Sequence, residues 1–400
     1  MTRALIPRPH AMEWLQRWRN EEPIKVITGM RRCGKSSVLR LFQEYLKEQG
    51  TPSSNIVAIN FESMDTVHPT EPQALYNYLV ERFQPGMNYV FLDEIQRIPS
   101  FERTVNALAL RDDTDLYVTG SNAFILSSEL ATLITGRYVE LQMHPFSFAE
   151  YKIAHPSQKD TEALFNRYLM YGGLPYTAHL DNDQSIADYL GGVFNTIVMS
   201  DVASRHPRMD MLAFQRTMDF LTDNIGNISS LKRISNALKN AGKAVSVGAI
   251  NEYVSALIEN YLLYKVPRYN IKGHEYLETL EKYYLADLGF RYWLLGKTQN
   301  DIGHRLENVV YLELLRRYDV VNVGKINQFE VDFVALANGI PTYVQVAQSI
   351  VDPKVQEREF GPLRAIKDNY PKLVLSLDKI GVGDYAGIEQ RNIIDWLLEK

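Results

Sequence analysis

Hydrophobic residues recur along this chain at two spacings, and these predict alternating helices and strands. Trp14, Leu15 and Trp18 fall at helical spacing and predict a short amphipathic helix within residues 1–23. The apolar run Ile24-Lys25-Val26-Ile27 reads as a strand. Ser37-Val38-Leu39-Arg40-Leu41-Phe42 then opens an amphipathic helix that stops near Gln49-Gly50, where glycine supplies a C-terminal stop. Residues 56–61 form a short run of buried-strand type, 72–83 a helix, and Tyr89-Val90-Phe91-Leu92 a central strand. Residues 116–120 give a further strand, a helix passes through Leu130 and Leu133, and Tyr138-Val139-Glu140-Leu141 closes the series. Apolar strands alternating with helices predict an α/β fold with a parallel sheet.

Beyond this module the pattern changes. Residues 160–205 read as helical, broken at Tyr171-Gly172-Gly173-Leu174-Pro175. Leu231, Ile234 and Leu238 mark one helical face, Ala241-Gly242-Lys243 a turn, and Ser246 the cap of a second helix. A strand over 261–266 completes a winged helix-turn-helix pattern. The last segment predicts a helix from Leu306 to Leu315, strands at 320–323, 330–335 and 343–347, a helix over 353–368 and a strand at 373–376.

Composition narrows the class. A chain of 400 residues, 46% hydrophobic and 23% charged, is a folded globular protein of two to three domains. No apolar run nears the roughly 20 residues that span a bilayer. The start, Met1 to Pro7, lacks the apolar core of a signal peptide. A single cysteine excludes an internal disulfide, and a cytoplasmic location is expected. The net charge of −5 argues against wholesale coating of nucleic acid, but residues 205–273 carry ten Lys or Arg against five Asp or Glu. The 24 tyrosines are scattered and form no base-stacking platform.

Two motifs carry chemistry. Gly29-Met30-Arg31-Arg32-Cys33-Gly34-Lys35-Ser36 has the G-x-x-x-x-G-K-[ST] spacing of a P-loop, between a strand and a helix as that motif requires, with Ser37 beside it. Gly29 and Gly34 let backbone N–H groups wrap phosphate, Lys35 carries charge toward the β- and γ-phosphates, and the Ser36 hydroxyl suits Mg²⁺. The strand ending in Asp93-Glu94 delivers two carboxylates to the carboxyl edge of the sheet, Asp93 for Mg²⁺ and Glu94 for the attacking water. Ser121 and Asn122 end the next strand, where a polar side chain either orients water or caps a helix. Arg137, just before the last strand, either reaches a neighbouring subunit's γ-phosphate or makes a surface ion pair. Cys33 is expected to fill a loop position without reactivity.

The segments Ile27 to Ser36, Leu92-Asp93-Glu94-Ile95-Gln96, Thr119-Gly120-Ser121-Asn122, Leu133-Ile134-Thr135-Gly136-Arg137-Tyr138 and His144-Pro145-Phe146-Ser147-Phe148-Ala149-Glu150-Tyr151 occur in order. In these the chain resembles the prokaryotic AAA-type ATP-binding protein family of the broader AAA+ class. The resemblance implies ATP and Mg²⁺ at Lys35, Ser36, Asp93 and Glu94. It also implies a polar sensor at Ser121 or Asn122, an arginine finger at Arg137, and a hexamer-like ring or other homo-oligomer. The Gly-Gly-Leu-Pro element is shared with the family.

The C-terminal pattern resembles the PD-(D/E)xK nuclease fold, with Glu307, Asp332 and Gln345 at the positions of the metal-binding group. Alanine at 347 stands where that pattern has its lysine, so a degenerate, DNA-holding or scaffolding domain is expected over an active nuclease. The expected organisation is an ATPase core over 1–150, a helical lid over 151–205, a winged helix-turn-helix over 206–275 and a restriction-endonuclease-like α/β domain over 276–400. Lys232, Arg233, Lys239, Lys243, Lys265 and Arg268 are the candidates for duplex DNA phosphates. Glu252 on the second helix weakens base readout. The expected function is a DNA-associated ATPase, with an ATP-regulated nuclease and a nucleotide-gated scaffold or signalling ATPase as alternatives.

Overall fold

The computed structural model describes residues 5–63, 68–121, 123, 137–242, 244–297 and 301–399. They fall into two compact units, Met1–His144 with Glu259–Tyr261, and Pro145–Ile258 with Leu262–Lys400.

In the first unit α1 (Pro9–Arg17) leads into β1 (Ile24–Gly29) and α2 (Lys35–Glu48). There follow β2 (Ile56–Asn60), α3 (Pro72–Val80), β3 (Asn88–Asp93), α4 (Phe101–Ala109), β4 (Thr114–Thr119) and β5 (Tyr138–Met143). The strands form one parallel sheet in the order β2-β3-β4-β1-β5. Strands β1 and β3 are buried along their whole length, as a parallel sheet covered on both faces requires. Leu92 and Val118 pack with Leu75 and Leu79 of α3 and Val105 and Leu108 of α4. Phe91 and Tyr117, one residue earlier on each strand and so on the other face, stack at 4.8 Å beneath Phe42 of α2.

Lys25 interrupts the apolar run of β1 and is nevertheless fully buried. Its ammonium pairs with Asp115 at 2.6 Å, whose other oxygen accepts from the Tyr117 hydroxyl and the Asn20 N–H, each at 2.8 Å. Every atom of the pair has a partner, the condition under which buried charge is tolerated.

The second unit begins with α5 (Phe148–Ile153), α6 (Thr161–Tyr171), α7 (Asp183–Thr196), α8 (Met211–Asp223), α9 (Leu231–Asn240) and α10 (Val247–Glu259). A hairpin of β6 (Leu263–Asn270) and β7 (Glu275–Leu285) precedes α11 (Leu288–Leu295) and α12 (Ile302–Arg317). Then come β8 (Val320–Ile326), β9 (Phe329–Ala337), β10 (Ile340–Val346), α13 (Pro353–Ala365), β11 (Lys372–Ser376), β12 (Gly383–Asp384), β13 (Glu389–Asn392) and α14 (Ile393–Leu398). The strands make an eight-stranded mixed sheet, β12-β13-β11-β10-β9-β8-β6-β7. Phe333 of β9 meets Tyr311 of α12, while Val334 joins Phe360 and Leu363 of α13, so the sheet lies between these two helices.

Two boundaries differ from those read in the sequence. The first compact unit ends at His144, short of the expected 150, because the backbone of Phe146 bonds within the second unit: its N–H donates to Gly173 O, and its carbonyl accepts the Tyr168 hydroxyl, both at 2.8 Å. The boundary expected at 275/276 falls at the first residue of β7. The hairpin expected to be a separate wing joins the C-terminal sheet, since β6 pairs in parallel with β8 at Arg268↔Val323 and Tyr269↔Gly324. That pairing links residues more than fifty apart and leaves no local trace in sequence.

The Gly-Gly-Leu-Pro turn gains a physical role. Fully buried Asp287 caps α11 through Gly289 N–H at 2.8 Å and also accepts the N–H of Gly173 at 2.7 Å and that of Leu174. Gly172 has φ +75, and a Cβ there would lie 1.8 Å from the Asp287 carboxylate, so both conformation and space demand glycine. Burial pushes the Asp287 carboxyl up to about 7, against the three N–H donors that favour its charged form. The folded chain thus holds this proton above the unfolded value of about 4. The group's contribution is complete below pH ~4 and is lost as pH rises through 7. Denaturant unfolding of wild type and Asp287→Asn at a series of pH values should show wild type losing ground to the variant across that window, by at most about 4 kcal/mol. Parallel pH curves would refute the assignment.

Candidate active site

The P-loop spans the end of β1 and the start of α2, as the strand–loop–helix pattern requires. Gly29 has φ +131 and lies against β5, where a Cβ would sit 2.2 Å from Met143 O; only glycine lets the loop leave the sheet here. Gly34, at φ +109, is the N-cap of α2, which has no side-chain cap. Met30 and Cys33 are buried, Arg31 donates to Glu62 at 2.9 Å, Arg32 is exposed with φ +63, and Ser37 is half-buried in the first turn. Burial pushes the Cys33 thiol up, away from reactivity, more than nearby Lys35 and Arg8 pull it down. Arg8, just ahead of α1, is buried and donates to Cys33 O at 2.9 Å and His144 O at 2.8 Å, tying the loop to the chain that frames it.

Lys35 is buried. Its Nζ donates to Gly29 O at 2.9 Å and Met30 O at 3.2 Å, and lies 3.6 Å from Glu94 Oε1. Asp93 accepts the Thr119 hydroxyl at 2.6 Å on one oxygen and Asn60 Nδ2 at 2.8 Å on the other, and its side chain also hydrogen-bonds Ser36. Burial raises its pKa, and the hydrogen bonds from Thr119 and Ser36 counter this only in part. Glu94 sits at φ +59 beyond the end of β3. Its N–H donates to Thr119 Oγ1 at 2.9 Å, and its Oε2 accepts from Ser121 Oγ at 2.6 Å and Gln96 Nε2 at 2.5 Å.

These groups suit a magnesium nucleotide. The Ser36 hydroxyl and the Asp93 carboxylate are hard oxygen donors already in contact, and Lys35 brings its ammonium to the same place. Nearby, Glu62 bridges Arg31 and Arg97; burial would raise its pKa, but the two guanidinium hydrogen bonds lower it below the usual range.

Other expected residues lie elsewhere. Asn122 and Lys243 are outside the described residues. Arg137 is exposed and precedes β5, and its carbonyl accepts from Ile24 N–H at 2.8 Å. It therefore occupies the opposite edge of the sheet from Gly29. A six-residue strand separates it from its own P-loop by roughly 20 Å, beyond the reach of an arginine.

In the second unit, Glu307, Asp332 and Gln345 do come together, around a residue that sequence reasoning missed. Buried Lys282 of β7 places its Nζ 2.7 Å from Glu307, 2.6 Å from Glu330 and 3.5 Å from Asp332. Gln345 accepts from Asp332 N–H at 2.6 Å and donates to Glu359 at 2.9 Å. Against the cost of burial, the three carboxylates raise the Lys282 pKa. Lys282 in turn lowers that of Glu307, while burial and the Glu307 charge raise that of Asp332. Among the described residues no three His, Cys, Asp or Glu side chains are grouped to hold a metal ion.

Of the expected DNA contacts, Lys232, Arg233, Lys239 and Lys265 are exposed and Arg268 half-buried. Arg233 donates to Ile228 O at 2.8 Å, and Lys265 pairs with Glu281 at 3.0 Å. Thr119, Asn60 and Arg8 were missed at the first site. The only sequence signal for Thr119 was its position at the end of a strand beside Ser121. Alternation along β7, which sets Lys282 and Tyr284 on one face, was the signal for Lys282.

Residues 21–152 match the AAA domain family, and residues 162–301 match a domain of unknown function (DUF8612). The chain is similar to an uncharacterized protein of Haemophilus influenzae, 36% identical over an alignment that covers 100% of both. An uncharacterized protein of Methanocaldococcus jannaschii is 26% identical over 90% of this chain and 81% of its own. Among solved structures, a Walker-type ATPase of Pyrococcus abyssi aligns with 72% of this chain and 95% of its own, at 15% identity and a TM-score of 0.47. No helix among the described residues is long and apolar enough to cross a membrane. The chain thus belongs to the same family as the Haemophilus influenzae protein, and its residues 21–152 form an AAA domain.

Proposed function

We propose that this chain hydrolyses ATP with Mg²⁺ at the carboxyl edge of its parallel sheet and couples that hydrolysis to duplex DNA through its second unit. The observation that carries the hydrolytic reading is the convergence of Lys35, Ser36, Asp93 and Glu94, with Lys35 Nζ 3.6 Å from Glu94 Oε1. Glu94 is the base that aligns the attacking water, with Ser121 and Gln96 fixing its carboxylate. Asn122 stays in the proposal as a second polar group near that water. Lys35 exchanges its bonds to Gly29 O and Met30 O for phosphate oxygens. Ser36 and Asp93 would hold Mg²⁺, which supplies charge neutralisation across the β- and γ-phosphates. Arg137 acts in trans, on the site of a second copy in a homo-oligomeric ring, since its own site is out of reach.

For DNA, the exposed Lys232 and Lys239 of α9 are the strongest phosphate partners, because Lys265 is already paired. The exposed face of α10 presents Asn251 and Glu252 and no cation, which favours backbone contact over base readout.

Nuclease chemistry is disfavoured. The ammonium of Lys282 stands among the carboxylates that would hold a metal ion, and Ala347 is buried in the cluster with Phe360 and Leu363, where a lysine has no access to them. We read this centre as an inert, charge-compensated core.

Lys35→Ala should abolish ATP turnover, and Glu94→Gln should keep nucleotide binding while lowering kcat by about 10²–10⁴. A Glu94→Gln variant that retains turnover would remove Glu94 from the chemistry. Duplex DNA should bind in a mobility-shift assay with an affinity that falls steeply with salt, and should change the ATPase rate; no salt-sensitive binding at micromolar protein would leave a scaffold or signalling ATPase. Wild type should leave plasmid intact in Mg²⁺ or Mn²⁺. Lys282→Met should lose about 3–5 kcal/mol in denaturant unfolding, because it strands buried carboxylates. An unchanged midpoint would show that Lys282 does not hold that centre together.

A further inference from the structure

Beside the nucleotide site two arginines are gathered on one carboxylate. Arg31 lies in the phosphate loop itself. Arg97 lies on the turn Ile95–Arg97 directly after Glu94, where its N–H donates to Glu94 O at 3.2 Å. Both guanidinium groups donate to the same oxygen, Glu62 Oε1, Arg31 at 2.9 Å and Arg97 at 2.5 Å. Glu62 is anchored to the site in turn. Its N–H donates to Asn60 Oδ1 at 2.8 Å, and Asn60 Nδ2 donates to Asp93 at 2.8 Å. The neighbouring Phe61 N–H donates to Asp93 O at 3.0 Å. One acid thus joins the loop from Gly29 to Ser36 to the turn that follows the two site carboxylates.

Charge and exposure decide what this arrangement can do. Two like charges on a single oxygen repel each other, and together they make a seat for an anion that offers several oxygens. Lys35 is already answered by Glu94, and the two arginines by Glu62. A magnesium triphosphate, net negative, therefore gains these cations by exchange with carboxylates. The exchange costs little at Glu62, whose side chain is 38% exposed beside an Arg97 that is 48% exposed, because ion pairs in contact with water are weak.

We propose that Arg97 distinguishes a nucleoside triphosphate from a diphosphate: in the nucleotide-free chain Glu62 holds its guanidinium beside Arg31, and a terminal phosphate takes it over. The place of Arg97 just after Glu94 assigns it to the γ end, where the water attacks, whereas the loop that carries Arg31 cradles the phosphates nearer the nucleoside. Arginine's planar fork suits a phosphate with three free oxygens. Glu62 competes for Arg97 and does not itself touch the nucleotide. This role rests on the P-loop being an ATP site, and it is exerted in cis, without a second copy of the chain.

Isothermal titration of the full-length chain with ADP and with a nonhydrolysable ATP analogue, both in Mg²⁺, tests it. Arg97→Gln should weaken binding of the analogue by about tenfold or more and leave ADP within about twofold. Glu62→Gln should raise the preference for the analogue over ADP by about two- to fivefold, because the competing acid is gone. That gain should vanish when Arg97→Gln is added to Glu62→Gln. Arg97→Gln with no loss, or with equal losses for both nucleotides, overturns the role of Arg97 and leaves the ATP site standing. If Arg97→Gln fails to fold by circular dichroism, Glu62→Gln decides, and an unchanged preference overturns the role. A wild type that binds neither nucleotide overturns both the role and the ATP site.

Discussion

The hydroxyl of Thr119 holds the two acids of the nucleotide site in one arrangement. It donates to Asp93 and accepts the N–H of Glu94, so a single atom fixes both the carboxylate that faces Ser36 and the turn that swings Glu94 toward Lys35. The register of the sheet makes this possible. Thr119 stands opposite Ile27 of β1 on one side, while Val118 pairs with Leu92 of β3 on the other. Strand β4 therefore lies between the phosphate loop and the acids and carries the atom that links them. Glu94 is held in a left-handed conformation that costs a non-glycine residue on the order of 1–3 kcal/mol. The bond to Thr119 and those from Ser121 and Gln96 offset that cost.

What was legible in the sequence follows from how local each signal is. The loop from Gly29 to Ser36 and the acids at 93 and 94 are each encoded by an apolar run and its immediate neighbours, and their elements formed as read. Thr119, Asn60 and Arg8 reach the same site from other strands or from the N-terminal segment, through contacts between residues 25 to 33 positions apart. No spacing rule announces such contacts. Arg137 shows the converse. Its place before the last strand was legible, but only the register of β5 against β1, Ile24↔Tyr138, shows that it sits at the wrong edge for its own phosphate loop.

The second unit was harder to read because its sheet is assembled from distant pieces. The hairpin of β6 and β7 looks self-contained in sequence, and its alternation gives no hint of a third strand. Parallel pairing with β8 converts it into the edge of a larger sheet and carries Lys282 to Glu307, Glu330 and Asp332. Glu307 and Asp332, named from a resemblance, both face Lys282, and Gln345 bonds Asp332. Lys282, the cation between them, went unread, because a lysine in the middle of a strand usually signals a solvent face.

Lys25 and Lys282 obey one rule on two different sheets. Each is a lysine buried in a strand, and each meets carboxylates that have further partners of their own: Asp115 with Tyr117 and Asn20, and Glu307 with Tyr284. Such clusters add little net stability over an apolar core, yet losing any one member strands a charge. Arg291 departs from the rule. It is as deeply buried as Lys282, but one partly exposed carboxylate answers it, and two of its donors find no partner among the described residues. Burial of charge in this unit therefore does not require that every donor be met: Lys282 is held by carboxylates on three sides, Arg291 by Asp301 alone among the described residues.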